Sequence, residues 1–386
     1  MSHLNRKSIG IDARVPLGRG RGWQRYAVDF LRALSKLPLP FDVRVLLPNN
    51  SISKKLVPEL EHVFSVYVET FDLANEGDYL LSALQARDPK SYLGDVDLLH
   101  CLTRFTPKTD IRPVIATVHD IAPMVDPPYK TEIKASTYQA MERLKEYGSR
   151  IIAVSKATRD DLIEFAGISS DRIDVSYPGI SAGLHHGDTC SYDLGNEELR
   201  LIYVGGMGEN KNLVRLIRSV LELRCHMAVK LMIVGDPRWG YEALRKELSD
   251  SRLGNEAGAV CFTGFVTDES LQSLYRQSHA LVMPSLHEGF GLPIVEAMAN
   301  SLPVCCSRIP VFEEIAGNAA MFFDPFDSGD IVSTLRCLLL DDTLAATLRR
   351  RGHKRARHYS WSRSAMQILD IYKKELGQSK FLKKLN

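Results

Sequence analysis

Short runs rich in Val, Ile and Leu alternate along this chain with longer stretches in which apolar residues recur every three or four positions. The first pattern predicts strands buried on both faces and the second predicts amphipathic helices, so their alternation predicts an α/β protein of doubly wound parallel sheets. Two series are legible. In the first, strands are predicted over 8–12, 42–47, 96–100, 113–119 and 150–154, with helices over 23–37 and 156–166. Tyr26, Phe30, Leu31 and Leu34 share one face of the earlier helix. The second series has strands at 199–204, 230–234, 259–262, 280–283, 303–306 and 320–323. Its first helix follows Lys211-Asn212, where Leu213, Leu216, Ile217, Val220 and Leu221 keep helical spacing.

A chain of 386 residues is longer than one hydrophobic core usually organises, which fits two domains. Between the series, 183–198 carries Gly183, Gly187 and Gly195 among polar residues without periodicity, the composition of a linker. The expected division is an N-terminal domain over 1–182, the linker over 183–198 and a C-terminal domain over 199–360, with a cleft between the domains. The remaining 361–386 comprises a helix, expected to pack back on the N-terminal domain, and a basic tail containing Lys380, Lys383 and Lys384.

Composition narrows the class of function. With 49 basic and 47 acidic side chains the formal charge is +2, so no global field points to nucleic acid and any anion site is local. Seven cysteines, an odd count without C-x-x-C spacing, read as reduced thiols of a cytoplasmic protein. The opening residues lack a signal-peptide apolar segment, and no apolar run approaches the ~20 residues of a membrane span. Membrane contact, if any, is peripheral. The basic tail reads first as solvated and second as an anchor to the anionic inner face of the cytoplasmic membrane.

The most informative segment is 284–298, Pro-Ser-Leu-His-Glu-Gly-Phe-Gly-Leu-Pro-Ile-Val-Glu-Ala-Met, which follows a strand and opens a helix. Gly289 and Gly291 permit close backbone approach, and Pro293 suits a first helical turn, where its missing N–H costs nothing. Amides at such a helix start, at the carboxyl edge of a parallel sheet, are where α/β proteins bind phosphates. Glu288 and Glu296 lie eight residues apart, ~12 Å even on a continuous helix. That excludes the carboxylate pair of a retaining hydrolase, spaced about 5–5.5 Å. It suits instead the two hydroxyl-rich ends of a nucleotide diphosphate sugar. Taken alone, Glu296 reads equally well as an exposed helix glutamate. A second glycine-rich turn, 205–212, carries Lys211, which could neutralise a diphosphate. It has neither the G-x-G-x-x-G spacing of a dinucleotide site nor the G-K-[ST] ending of a P-loop.

At these residues the chain resembles family 4 of the glycosyltransferases, retaining enzymes of GT-B architecture with two Rossmann-like domains facing a central cleft. Glu288 and Glu296 match the family's E-x7-E motif, and Lys211-Asn212 matches its lysine-asparagine element. Further similarities are Val234-Gly235-Asp236, the segment 262–266, and Ala153-Val154-Ser155-Lys156. The resemblance implies a nucleotide diphosphate sugar as co-substrate, with no cofactor and no metal. It places Glu288 on donor-sugar hydroxyls, amides around Gly289, Phe290 and Gly291 near sugar and phosphate, Leu292 against the donor and Glu296 on the ribose. Gly206 and Lys211 fall at the diphosphate, and Gly264, Phe265 and Val266 near the base. His119, with Asp120, Arg25 and Tyr26, falls on the acceptor side, where an ordinary core histidine is the competing reading. The catalytic set so implied is Glu288, His119 and Lys211, and the acceptor is a glycan or lipid-linked glycan.

Two departures qualify the match. Family members often carry arginine where this chain has Gly206, and the glycine-rich loop usually reading Gly-x-Gly-Arg-Tyr here reads Gly22-Trp23-Gln24-Arg25-Tyr26, so phosphate contact there is not expected. A mannosyltransferase branch of polysaccharide and O-antigen assembly shares the lysine without the arginine. It also shares an element like Arg238-Trp239-Gly240-Tyr241, which favours GDP-mannose. In the family, the departing diphosphate takes the acceptor's proton on the face where substitution occurs, so no enzyme nucleophile is needed. Two alternatives are a GT-B-fold nucleotide-sugar epimerase and a non-catalytic nucleotide-sugar-binding subunit. Glu288, Lys211 and His119 together argue against the second.

Overall fold

The computed structural model describes residues 6–14, 21–69, 87–125, 131–147, 150–181, 198–235, 244 and 258–377. Two compact units divide the chain: Met1–Gly179 with Ser360–Asn386, and Ile180–Tyr359. The expected linker, apart from Glu198, lies outside the described residues, as do Asp236, the 238–241 element and the basic tail.

The first unit holds seven parallel strands: β1 (Ser8–Asp12), β2 (Asp42–Pro48), β3 (Ser65–Glu69), β4 (Leu98–Cys101), β5 (Val114–Val118), β6 (Arg150–Ala153) and β7 (Ile173–Val175), in the order β3-β2-β1-β4-β5-β6-β7. Every residue of β1, β4 and β5 is buried, which is why those strands read as unbroken apolar runs. Neither edge strand was expected. β3 exposes Ser65 and Val68 and β7 has three residues, so neither carries the signal of a strand covered on both faces. The chain returns to this unit through the Trp361–Glu375 helix, which packs on the Arg21–Leu34 helix. A Cβ at Gly179 would lie 2.0 Å from Trp361 N, so only glycine admits the returning backbone.

The second unit holds six parallel strands: β8 (Leu199–Val204), β9 (Val229–Val234), β10 (Val260–Gly264), β11 (Ala280–Met283), β12 (Val304–Ser307) and β13 (Met321–Phe323), in the order β10-β9-β8-β11-β12-β13. From β8 the crossovers run one way, and from β11 the other. The carboxyl ends of these neighbours therefore form a topological switch point, the place where open α/β sheets bind ligands.

Candidate active site

At that switch point two loops are tied together. Beyond β8, the chain passes through Gly205 and Gly206 into a short 3-10 turn, Glu209–Lys211, closed by Asn212 in a left-handed conformation at φ 55°. The Asn212 Nδ2 donates to Pro284 O at 3.2 Å and to Pro325 O at 2.8 Å, and Leu286 N donates to Asn210 O at 2.8 Å. These bonds fix the turn against the loop that follows β11, and they aim Lys211. Its Nζ lies 2.7 Å from Glu288 Oε1, which also accepts from Ser285 Oγ at 2.9 Å. Both ion-pair side chains keep partial exposure, 21% for Lys211 and 17% for Glu288. The sequence-derived pair is thus in direct contact. Tyr203, the residue before the last in β8, is buried below it and donates to Gly206 O at 2.6 Å. Burial and the neighbouring Glu288 charge hold its hydroxyl well above the ordinary phenol range.

The Leu292–Ala299 helix starts at Gly291, where φ is 95° and a Cβ would approach Phe312 Cε1 to 2.9 Å. Both facts require glycine. No side chain caps this helix, Pro293 sits in its first turn, and Leu292 is half-buried. Phe290 is buried, and its ring packs edge-on against Tyr359. Glu296 is 1% exposed, and its Oε2 accepts from Tyr275 OH at 3.0 Å, which replaces the reading of an exposed helix glutamate. A buried, partnered carboxylate is held in one orientation. At the end of β10, Gly264 has φ 68° and Phe265 is 64% exposed beside Val266, at the carboxyl end of the sheet's edge strand. A Cβ at Gly206 would meet nothing within 4 Å, so packing does not forbid a larger residue there.

The other unit holds the acceptor-side candidates. His119 follows β5 and its Nε2 contacts Leu102 O at 3.0 Å, beyond β4. A carbonyl only accepts, so Nε2 carries the proton and Nδ1 the lone pair. Burial, partly offset by the Leu102 bond and by Asp120, pushes the imidazole pKa down to about 4, so the ring is neutral at pH 7. Trp23 stacks on the ring at 5.7 Å and Tyr26 meets it edge-on at 4.7 Å. Tyr26 is 1% exposed, packed also against Phe30 and Trp361, and burial raises its pKa to about 12. Tyr26, which the resemblance puts on the acceptor side, packs against His119 from within the core. Arg25 is half-buried and Asp120 keeps 28% side-chain exposure. Sequence reasoning missed Arg104, whose guanidinium contacts Asp120. It is the sole Asp, Glu, Lys or Arg between Asp97 and Lys108, and that isolation was the available signal.

Two family models match the chain: Glycosyltransferase Family 4 over residues 20–183, and Glycosyl transferases group 1 over residues 191–357. O-antigen chain mannosyltransferase B of Escherichia coli is 28% identical over 272 residues, 67% of this chain and 70% of that protein. The serotype-specific mannosyltransferase WbdA of the same organism is 28% identical over 253 residues, 62% of this chain and 31% of that larger protein. Among solved structures, Anabaena Alr3699/HepE in complex with UDP and glucose superposes with a TM-score of 0.72 at 19% identity, over 95% of this chain and 100% of that one.

Proposed function

Because this chain belongs to the GT-B glycosyltransferases that join a family 4 domain to a group 1 domain, we propose that it transfers mannose from GDP-mannose to a glycan or lipid-linked glycan of a cell-surface polysaccharide. The transfer retains anomeric configuration and needs no metal. The observation that carries this reading is the 2.7 Å pair of Lys211 and Glu288, set in the loop that opens an uncapped helix. Lys211 and the helix-start amides offer positive charge to a diphosphate, and Glu288 offers carboxylate oxygens to sugar hydroxyls. The mannosyltransferase names of the relatives support the choice of sugar.

In the proposed reaction the bond from the sugar's anomeric carbon to the diphosphate oxygen breaks, and a bond to the acceptor hydroxyl oxygen forms on the same face. The acceptor's proton passes to the departing diphosphate. Lys211 stabilises the charge that grows on that leaving group, the role a metal ion plays elsewhere. Glu296 binds the ribose and the Gly264–Val266 edge the base, with Phe265 as a stacking surface. His119, neutral and with an accepting Nδ1, accepts a hydrogen bond from a hydroxyl on the acceptor side without taking its proton. The enzyme acts in the cytoplasm. Any membrane contact is proposed as peripheral; no helix among the described residues is long and apolar enough to cross a membrane.

A donor panel followed by thermal denaturation tests the reading. GDP-mannose raises Tm by mass action more than UDP sugars do, and Lys211→Ala removes the shift. The same substitution lowers kcat by roughly 10²–10³, the usual cost of removing one transition-state donor. Product analysis by NMR gives a retained anomer, and chelator leaves the rate unchanged. A larger response to UDP sugars would overturn the mannose assignment. Conversion of donor alone would mark an epimerase.

A further inference from the structure

We propose that Arg104 is the positioning residue of the acceptor side, a buried clamp that fixes the orientation of His119. The inference rests on the reading of His119 given above, and on six contacts within one unit. Leu102 and Arg104 follow β4, and His119 and Asp120 follow the neighbouring parallel strand β5. The two strand ends are cross-linked in both directions. His119 Nε2 donates to Leu102 O at 3.0 Å, and Arg104 Nη1 donates back to Asp120 O at 3.0 Å while lying 3.6 Å from Asp120 Oδ1. The same guanidinium lies over the Phe105 ring at 4.6 Å and over the Trp23 ring at 5.5 Å. Trp23 in turn stacks on His119 at 5.7 Å.

Arg104 therefore grips His119 twice, through the backbone carbonyl and carboxylate of the next residue, Asp120, and through the indole that covers the imidazole face. With a side-chain exposure of 5%, the arginine has given up most of its hydration for these contacts. A planar fork that hydrogen-bonds at its edge and stacks on its face is specific to arginine; a lysine ammonium can meet only one of the two demands. Trp23, at the variable position of the Gly22–Tyr26 segment, puts an indole between the arginine and the histidine.

The clamp acts through His119, so a double-mutant cycle on the full chain tests it. Arg104→Met lowers kcat by roughly tenfold to a hundredfold, as expected for a displaced reactive-side group, with donor KM unchanged. In a His119→Ala background the same substitution costs less than about twofold, because its target is gone. The ring-nitrogen NMR signals of His119 move in Arg104→Met, while those of His100 stay. Arg104→Lys retains the buried charge and gives an intermediate kcat, and it carries the same cycle should the methionine variant fail to fold. Equal losses in both backgrounds, or a wild-type kcat in Arg104→Met, would overturn the clamp. A wild-type kcat in His119→Ala alone would instead remove the role assigned to the histidine.

Discussion

With Lys211 Nζ 2.7 Å from its Oε1, the carboxylate of Glu288 neutralises the cation that a diphosphate would take up. In the proposed donor site, binding shares or breaks this pair and so frees Glu288 for sugar hydroxyls. Glu288→Gln should tighten nucleoside diphosphate binding by about fivefold, equivalent to ~1 kcal/mol for a partly exposed pair, while turnover falls. Calorimetric titration with GDP measures the first effect; weaker binding by the variant would contradict the competition. Gly206 offers the converse experiment, since open space lies around its Cβ direction. Gly206→Arg should fold with near-native stability and strengthen diphosphate binding, read by the same titration. At this scale the sequence was most legible where residue identity fixes local geometry, as at Gly291, whose positive φ favours glycine. It was least legible where direction decides. Periodicity puts Tyr26 on the buried helix face, where its 1% exposure agrees, but does not say that its ring meets His119.

Most strands could be read because parallel strands covered on both faces leave continuous apolar runs, as in β1, β5 and β11. β3 and β7 escaped because an edge strand needs no second apolar face. What periodicity could not supply was the partner of each helix. The Trp361–Glu375 helix is bound to the first unit by Trp361 against Tyr26, by Arg150 Nε to Glu375 Oε1 at 2.7 Å, and by Tyr372 OH at 2.6 Å from His100 Nδ1. His100 is wholly buried, with Thr117 Oγ1 at 2.9 Å from its other nitrogen, so each hydroxyl satisfies one side of the ring. Tyr372→Phe removes one partner and leaves a buried polar atom unsatisfied, which should cost about 1–3 kcal/mol in urea unfolding. Lys211 and Glu288 lie in the other unit, so nucleotide binding should survive the change.

The two units carry different sensitivities. Burial pushes the pKa of His100 down to about 3 and that of His119 to about 4, and both belong to the first unit. An unfolded histidine titrates near 6.5, so below that pH the unfolded chain binds more protons than the folded unit. Stability present above pH 6.5 is therefore lost as pH falls toward 4, up to about 4 kcal/mol from the two groups together by pH 5. In the second unit burial also lowers His279, which contributes a smaller loss there. Under the proposed function a nucleoside diphosphate acts oppositely, stabilising only the unit that holds Lys211 and Glu288. Trp23 and Trp361 both lie in the first unit, so in a Trp239→Phe background tryptophan fluorescence reports that unit alone. Lowering pH from 7.5 to 5 should shift the fluorescence melting curve downward by more than the calorimetric transition of the second unit. Adding GDP at pH 7.5 should raise the second transition and leave the fluorescence curve nearly unmoved. A single transition that answers equally to acid and to nucleotide would mean that the units unfold as one, with their stabilities fully coupled.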